Sequence, residues 1–450
     1  MVTDIAAAAE CYFVQFPGHL ASGILLASLA SSARQATVGR LSIMAGRSSQ
    51  VGNMIPEPGH QVGGFGTMKI AFLVTRADPV GGAQIHVRDL ALAVRSKGHL
   101  PTVITSGTGA FIDDLRAHQA PVIVLKHLSA PISAIQDLRA FREVRATLRK
   151  LGPDLVATHS SKAGILGRLA GRTLGIPVVF TAHGWAFTPG IAPSRAAVYR
   201  GIERLAAPLS SKIITVSEFD RQLALKAGIT SGDRLVTVYN GIPDVPLDRR
   251  ADPGRNPVRL VMVARFEAQK DHPTLLHALA GLRDEPWELD LIGDGPLRGD
   301  MELLAKNLEI DTRVRFLGQR RDVDQCLAQA QISLLVSNWE GFPLTVLEAM
   351  RAGLPVVASA VAGIGEAVRD QESGYLIPRG DATLLRERIG RLLTSAPLRI
   401  EMGARGRAIW EQHFTLDEMV NRTLSVYREV IGPTSRRVDQ DTRLASRLPA

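Results

Sequence analysis

Cysteine is almost missing from this chain: Cys11 and Cys326 are the only two among 450 residues, far apart and in no C-x-x-C spacing. That excludes a disulfide framework and a cysteine-based zinc site, and it fits a reducing compartment. Aromatic residues make up only 5% of the chain, too few for the base-stacking platforms of single-strand nucleic-acid binders, and no nucleic-acid recognition motif occurs. Long apolar runs are lacking as well. The best, residues 20–30 (LASGILLASLA), falls short of the ~20 residues of a membrane-spanning helix. Asp4 and Glu10 precede it where a signal peptide would carry Lys or Arg. The expectation is a cytoplasmic protein that touches a membrane without crossing it.

What is present is ample core material. The chain is 45% hydrophobic and 22% charged, with 41 Gly and 25 Pro. A length of ~450 residues implies two or three domains rather than one core. The net charge of +9 is unevenly spread. Residues 68–252 hold 24 Lys and Arg against 14 acids, whereas residues 253–432 hold 22 against 25. A basic half joined to a slightly acidic half suggests two domains with different partners. Charge alone does not choose between nucleic acid, an anionic membrane and a phosphorylated substrate.

Residues 1–67 lack sustained periodicity and read as a poorly ordered extension or an upstream start-codon assignment. From residue 68 short apolar runs alternate with helical segments. Strands are predicted at 68–74, 101–105, 121–125, 154–158, 177–181, 212–216 and 234–238, with helices near 82–97, 134–151, 162–174, 194–208 and 217–227. The stretch NGIPDVPLDRRADPGRNP at 240–257, dense in Pro, Asp, Arg and Gly, reads as a linker with its centre at 245–256. The alternation then restarts, with strands near 258–264, 287–292, 313–317, 331–336, 355–359 and 375–377. Two Rossmann-like α/β domains follow, 68–244 and 257–410, each a parallel sheet covered on both faces. A helical stretch at 411–431 is expected to pack back on the first domain, and 432–450 to be a disordered tail. Ligands of open parallel sheets bind beyond the carboxyl ends of the strands, so two facing sheets place a cleft between them.

The chemistry-bearing positions all follow predicted strands. The strongest is NWEGFPLTVLEAM at 338–350. Glu340 lies on a loop there, and Glu348 lies about one turn into a helix. The backbone N–H groups near Pro343 to Val346, Leu344 and Thr345 among them, point out of that helix's N-terminus, a place for a diphosphate. Taken alone, the glutamates read equally as a loop acid and a solvated helix charge. After the strand RLVMVA come Arg265 and Lys270, a planar fork and a compact charge suited to adjacent phosphates; the blander reading is two surface cations beside a helix capped by Asp271. Gly81-Gly82 after the first strand lets a backbone approach a ligand, or simply turns. It is not G-x-G-x-x-G, and no acidic residue ends the next strand, which counts against a dinucleotide cofactor. His183 ends another strand and faces the cleft, where it orients a sugar hydroxyl or serves the fold. The turn Gly293-Asp294-Gly295 lines a nucleoside pocket or is only a turn. Asp322 and Asp324 have metal-carboxylate spacing but begin a helix, so they read as N-terminal helix charge and no metal is expected.

In that order, Gly81-Gly82, His183-Gly184, Arg265 with Lys270, Gly293-Asp294-Gly295 and the Glu340-to-Glu348 element resemble retaining glycosyltransferases of family four, with the GT-B fold, over residues 68 to the 420s. HSSKAGILGR at 159–168 and FTAHGWAF at 180–187 are similar to members that build capsular, exopolysaccharide or O-antigen repeat units on polyprenyl-diphosphate carriers. The resemblance implies a nucleotide-sugar donor, expected to be a UDP-sugar. It implies a lipid-linked or oligosaccharide acceptor, retention without a metal, and no cofactor. Arg265 and Lys270 would hold the diphosphate, Glu340 would meet the donor sugar and Glu348 the ribose. His183 would lie near the transferred sugar. Gly82, Gly293, Gly295, Phe342, Leu344 and Thr345 would line the donor site. Pro343 stands where many members have Gly and removes an N–H.

A helix at 134–151 sets Leu138, Phe141, Leu148 and Leu151 beside Arg139, Arg142, Arg145, Arg149 and Lys150, and Arg168, Arg172, Arg195, Arg200 and Arg204 continue the trend. This is a core stripe with a solvated face, or a surface for anionic lipid worth about 1 kcal/mol per cation. The rival functions are a sugar-nucleotide epimerase of similar architecture, a basic binding protein without catalysis, and a silent regulatory homologue.

Overall fold

Strands buried on both faces read as near-continuous apolar runs, and KIAFL, VVFTA, VRLVMV and ISLL in this chain do, each with a single polar residue. In a computed structural model, which describes residues 66–432, each becomes a strand of a parallel sheet. Of the extension expected at 1–67 and the tail expected at 432–450, residues 1–65 and 433–450 lie outside the described residues. The first half runs β1 (Lys69–Leu73), α1 (Gly82–Ser96), β2 (Leu100–Ser106), α2 (Ala110–Ala117), β3 (Val122–Leu125), α3 (Ala134–Leu151), β4 (Leu155–Thr158), α4 (Ser161–Leu174), β5 (Val178–Ala182), α5 (Pro193–Ala206), β6 (Lys212–Thr215), α6 (Glu218–Lys226) and β7 (Leu235–Thr237). The second runs β8 (Val258–Val263), α7 (His272–Ala280), β9 (Trp287–Ile292), α8 (Arg298–Asn307), β10 (Val314–Gly318), α9 (Val323–Ala328), β11 (Ile332–Leu335), α10 (Leu344–Ala352), β12 (Val356–Ser359), α11 (Ile364–Ala367), β13 (Gly374–Ile377), α12 (Ala382–Thr394), α13 (Ala396–His413) and α14 (Leu416–Ile431). Helix α2, at AFIDDLRA, is not among the helices expected from sequence.

The strand orders are β3-β2-β1-β4-β5-β6-β7 and β10-β9-β8-β11-β12-β13, parallel throughout. In each sheet the order reverses beside the first strand, between β1 and β4 and between β8 and β11. The loops leaving those strands diverge to opposite faces and open a crevice.

The second sheet carries one large core that includes Leu260, Leu289, Leu334 and Val357. The first sheet has separate cores on its faces, around Phe72 and Leu90 and around Val156 and Leu166. Helix α14 belongs to the first of these: Met419, Val420, Leu424 and Tyr427 are buried against Ile70, Phe72 and Leu90. The chain therefore crosses between the sheets twice, and the crossings run side by side. Ile242 N–H donates to Phe414 O at 3.1 Å, and Leu416 N–H donates back to Ile242 O at 2.9 Å. A Cβ on Gly241 would sit 2.1 Å from the Thr415 carbonyl oxygen, so glycine is required for that approach. Arg407 clamps the crossing through a bidentate pair with Asp244, at 2.6 and 2.7 Å.

Burial corrects the cationic surface expected from sequence. Arg168 is fully buried, pairs with Glu203 at 3.0 Å and lies over the Phe180 ring, so it is a core ion pair. Helix α3 buries Ala140, Val144 and Leu148. It leaves Arg139, Arg142, Arg149 and Lys150 exposed beside Ile135. Among the described residues no helix is long and apolar enough to cross a membrane.

Candidate functional site

The loops after β8 and β11 are zipped by backbone hydrogen bonds. Asp271 N–H donates to Val336 O at 2.9 Å, Asn338 N–H donates to Gln269 O at 2.8 Å, and Lys270 pairs with Ser337 in an antiparallel bridge. This pairing brings together two residues 70 apart in sequence. The Lys270 ammonium donates to Glu340 Oε1, and Gln269 Nε2 donates to Glu340 Oε2 at 3.2 Å. Glu340 is only 6% exposed, and a buried carboxylate needs such partners. Arg265 leaves the same β8 loop and pairs with Glu267 while staying partly exposed. Asp271 caps α7 by accepting from Thr274 N–H at 3.3 Å, which fixes the end of the loop.

Gly293 and Gly295 explain how that loop is supported. Both take positive φ, +141° and +157°. A Cβ on either would lie 2.0 Å from Ala264 O or 2.5 Å from Phe266 O. Their missing side chains let the β9 turn lie against the backbone that carries Arg265, so they position that cation. Phe342 is likewise turned away from the cleft. Its ring packs with Tyr239 and Phe414 in the core near the crossing, which leaves only its backbone to meet a ligand. Leu344 is buried in the first turn of α10. Pro343 occupies the position before that turn, so its missing N–H lies outside the helix and the amides of residues 344–346 remain N-terminal donors. The Thr345 hydroxyl is buried there without a hydrogen-bond partner.

Glu348 is half-buried one turn further into α10. Burial pushes its carboxyl up to about 7, with Asp89 of α1 adding to the rise and Arg351 and Arg88 opposing it. The first sheet reaches the same cleft. A Cβ on Gly82 would come 3.8 Å from the Leu344 side chain, and one on Gly341 would collide with His183 O at 2.3 Å. Gly82 thus faces the N-terminus of α10, and the His183 loop lies backbone to backbone against the Glu340 loop. Two further contacts join the halves. Asn240 Nδ2 donates to Phe342 O at 2.8 Å. The Glu366 carboxylate accepts from Glu218 N–H and Phe219 N–H at 2.8 and 2.7 Å, capping α6 from the other domain.

Four participants escape the sequence reading as site residues. Arg76, on the loop after β1, has its pKa lowered by burial and then by the charge of Arg265, with Glu267 and Asp78 opposing, so the loops after β1 and β8 feel each other's charges. His86 and His159 pack on His183, with ring centroids 4.7 and 5.5 Å from it. Asn240 ties His86 to the Glu340 loop. The sequence offered hints in the turn pair Asn240-Gly241 and in His86 one helical turn beyond Gly82, but nothing in it joins positions 86, 159 and 240. Asp322 and Asp324 lie at the start of α9 in ion pairs with Arg320 and Arg249.

A helix N-terminus beside Gly82, in a cleft that Arg265 and Lys270 also enter, favours an anion there. Two family models match this chain: "Glycosyltransferase Family 4" over residues 80–245 and "Glycosyl transferases group 1" over residues 248–409. Among curated proteins, the chain is 30% identical over 285 residues to the UDP-Gal:alpha-D-GlcNAc-diphosphoundecaprenol alpha-1,3-galactosyltransferase of Escherichia coli, covering 60% of this chain and 72% of that one. It is 27% identical to the N-acetyl-alpha-D-glucosaminyl L-malate synthase of Bacillus anthracis, covering 81% and 98%. Among solved structures, Anabaena HepE in complex with UDP and glucose superposes with a TM-score of 0.69 at 23% identity, covering 80% of this chain and 99% of that one. Sucrose-phosphate synthase of Thermosynechococcus elongatus gives 0.69 at 22%, covering 80% and 98%.

Proposed function

The chain belongs to the family-four glycosyltransferases, and on that premise we propose that it moves a hexosyl or N-acetylhexosaminyl group from a UDP-sugar to a polyprenyl-diphosphate-linked glycan. Transfer retains the anomeric configuration and serves cell-surface polysaccharide assembly. The observation that carries this reading is the convergence of Arg265 and Lys270 on the β8 loop, Glu340 on the β11 loop zipped to it, and the first turn of α10 beside Gly82. The relatives add UDP as the nucleotide and, in the E. coli galactosyltransferase, a diphosphoundecaprenol acceptor.

In this mechanism the diphosphate lies among the cations. The bond between the anomeric carbon and the β-phosphate oxygen breaks, and the electron pair leaves with UDP. Lys270 and Arg265 stabilise the negative charge that builds there. The acceptor hydroxyl attacks the anomeric carbon from the face the phosphate vacates, and its proton passes to the departing phosphate oxygen. Glu340, held by Gln269, hydrogen-bonds hydroxyls of the transferred sugar once Lys270 turns to phosphate. Glu348 accepts from the ribose hydroxyls, and His183 lies beside the sugar. Gly82, Leu344 and Thr345 line the donor. The protein works on the inner face of the cytoplasmic membrane, with Arg139, Arg142, Arg149 and Lys150 of α3 towards anionic lipid.

The test offers a panel of UDP-sugars with an undecaprenyl-diphosphate-linked N-acetylglucosamine acceptor, in neutral or anionic vesicles, and measures released UDP and lipid-linked product. One UDP-sugar is expected to give product with retained configuration, faster on anionic vesicles and undiminished by a chelator. UDP release with no donor in the panel would overturn transfer from UDP-sugars. An altered free sugar formed without acceptor would establish the epimerase instead, and equal rates on both vesicles would remove the membrane contact.

A further inference from the structure

Three imidazoles from separate elements converge beside the cleft. His86 lies in the second turn of α1, His159 directly after β4, and His183 directly after β5. Their ligand-capable atoms all lie within 4.8 Å of one another. His159 Nδ1 is 3.2 Å from His183 Nε2. Two nitrogens bound tetrahedrally to one ion at about 2.0–2.1 Å stand about 3.3 Å apart, so this edge already has the spacing of a metal site.

The tautomers agree. The Asn240 amide is oriented by its donation to Phe342 O, so its Oδ1, 3.1 Å from His86 Nδ1, can only accept. His86 Nδ1 therefore carries the proton, and Nε2 presents its lone pair. An amide oxygen holding the far nitrogen of a ligating histidine is the usual outer support of a metal site. His159 Nε2 is buried with no partner, so the contact of Nδ1 with His183 is all that the protein's hydrogen bonds offer this ring. Metal binding needs the neutral imidazole with a free lone pair, which His86 Nε2 offers in this tautomer. His86 and His159 are buried, whereas His183 is partly exposed and gives an ion a way in.

We propose that His86, His159 and His183 bind one divalent transition-metal ion of the zinc class, with a fourth position left for water. Three neutral nitrogen ligands suit zinc, cobalt and nickel and disfavour magnesium and calcium, which require oxygen. The ion is an inhibitor, not a cofactor: it takes the His183 lone pair away from the transferred sugar and slows transfer. That consequence rests on the transferase reading, whereas the binding does not.

The experiment strips the full chain with a chelator and titrates it with Co2+, without donor or acceptor, watching the visible bands of tetrahedral cobalt. One ion per chain is expected, displaced by Zn2+. His86→Gln and His159→Gln should each abolish the bands, and Asn240→Ala should weaken binding about 10–100-fold. No bands in the wild type, or bands that persist in both glutamine variants, would overturn the site; the rings are then only a hydrogen-bonded neutral cluster. If a variant does not fold, nitrogen NMR of the wild-type imidazoles decides. Zn2+ should shift the three rings together, and shifts confined to other histidines would overturn it. In the transfer assay Zn2+ should slow the wild type and a chelator should restore it; a rate unaffected by saturating Zn2+ would overturn the inhibition.

Discussion

Lys270→Ala is expected to lower kcat about 10²–10³-fold, the cost of removing one preorganised donor from a developing oxyanion, while the KM for the donor changes far less. The split follows from where charge appears. The diphosphate is charged in both ground and transition states, but the bridging oxygen gains its negative charge only as the glycosyl bond opens. A cation placed there acts on the barrier more than on binding. Lys270 also pairs with the buried Glu340, so its loss leaves a carboxylate uncompensated, at about 3–5 kcal/mol of stability. The double variant Lys270→Ala with Glu340→Gln should recover thermal stability, which assigns that loss to the uncompensated carboxylate, while the rate effect is read from Lys270→Ala itself. Measured kcat and KM at matched folded fraction check this, and an unchanged kcat in Lys270→Ala would remove the lysine from the departing phosphate.

Glu348→Gln should raise the donor's KM about 10–100-fold, the loss of a charge-assisted hydrogen-bond pair to vicinal hydroxyls, with kcat little changed. The same substitution should stabilise the unliganded protein above neutral pH. The reason is linkage. The native carboxyl is pushed up to about 7 from an ordinary 4.5, so between these values the native state holds a proton that the unfolded chain has released. Stability from this group is therefore present below about 4.5 and is lost as pH rises through about 7. Glutamine removes that slope. UDP affinity should show the opposite trend, improving as pH rises through about 7 and the carboxylate forms. Isothermal titration and thermal melts at pH 5.5 and 8.5 check both signs, and a Glu348→Gln protein that binds UDP as tightly as the wild type would take the ribose contact away.

Much of this architecture was legible because parallel strands leave local marks. VRLVMV and ISLL are apolar without alternation, and each is followed by a turn and a helix, so their carboxyl ends, and with them Arg265, Lys270 and Glu340, could be placed on one rim. What was not legible depends on partners distant in sequence. Arg168 lies among surface cations in sequence, and only Glu203, 35 residues later, turns it into a core residue. Phe342 reads as a ligand-facing aromatic, and only Tyr239 and Phe414, from the two crossings, show that it is core. Gly293 and Gly295 read as ligand-facing, yet the space they leave is filled by the backbone of the Arg265 loop. His86 carries no motif of its own, and HSSKAGILGR gives His159 no assigned role; the two meet His183 because β1, β4 and β5 are brought together in the sheet. Helix α2 escaped because it is eight residues long, too short for periodicity to declare itself.

A crystal structure of the full chain with UDP bound is the most direct measurement. The diphosphate should lie between the Gly82 end of α1 and the first turn of α10, within hydrogen-bonding distance of Arg265 and Lys270, with the ribose hydroxyls on Glu348. UDP density outside the gap between the two sheets, or a diphosphate there that neither cation touches, would contradict it.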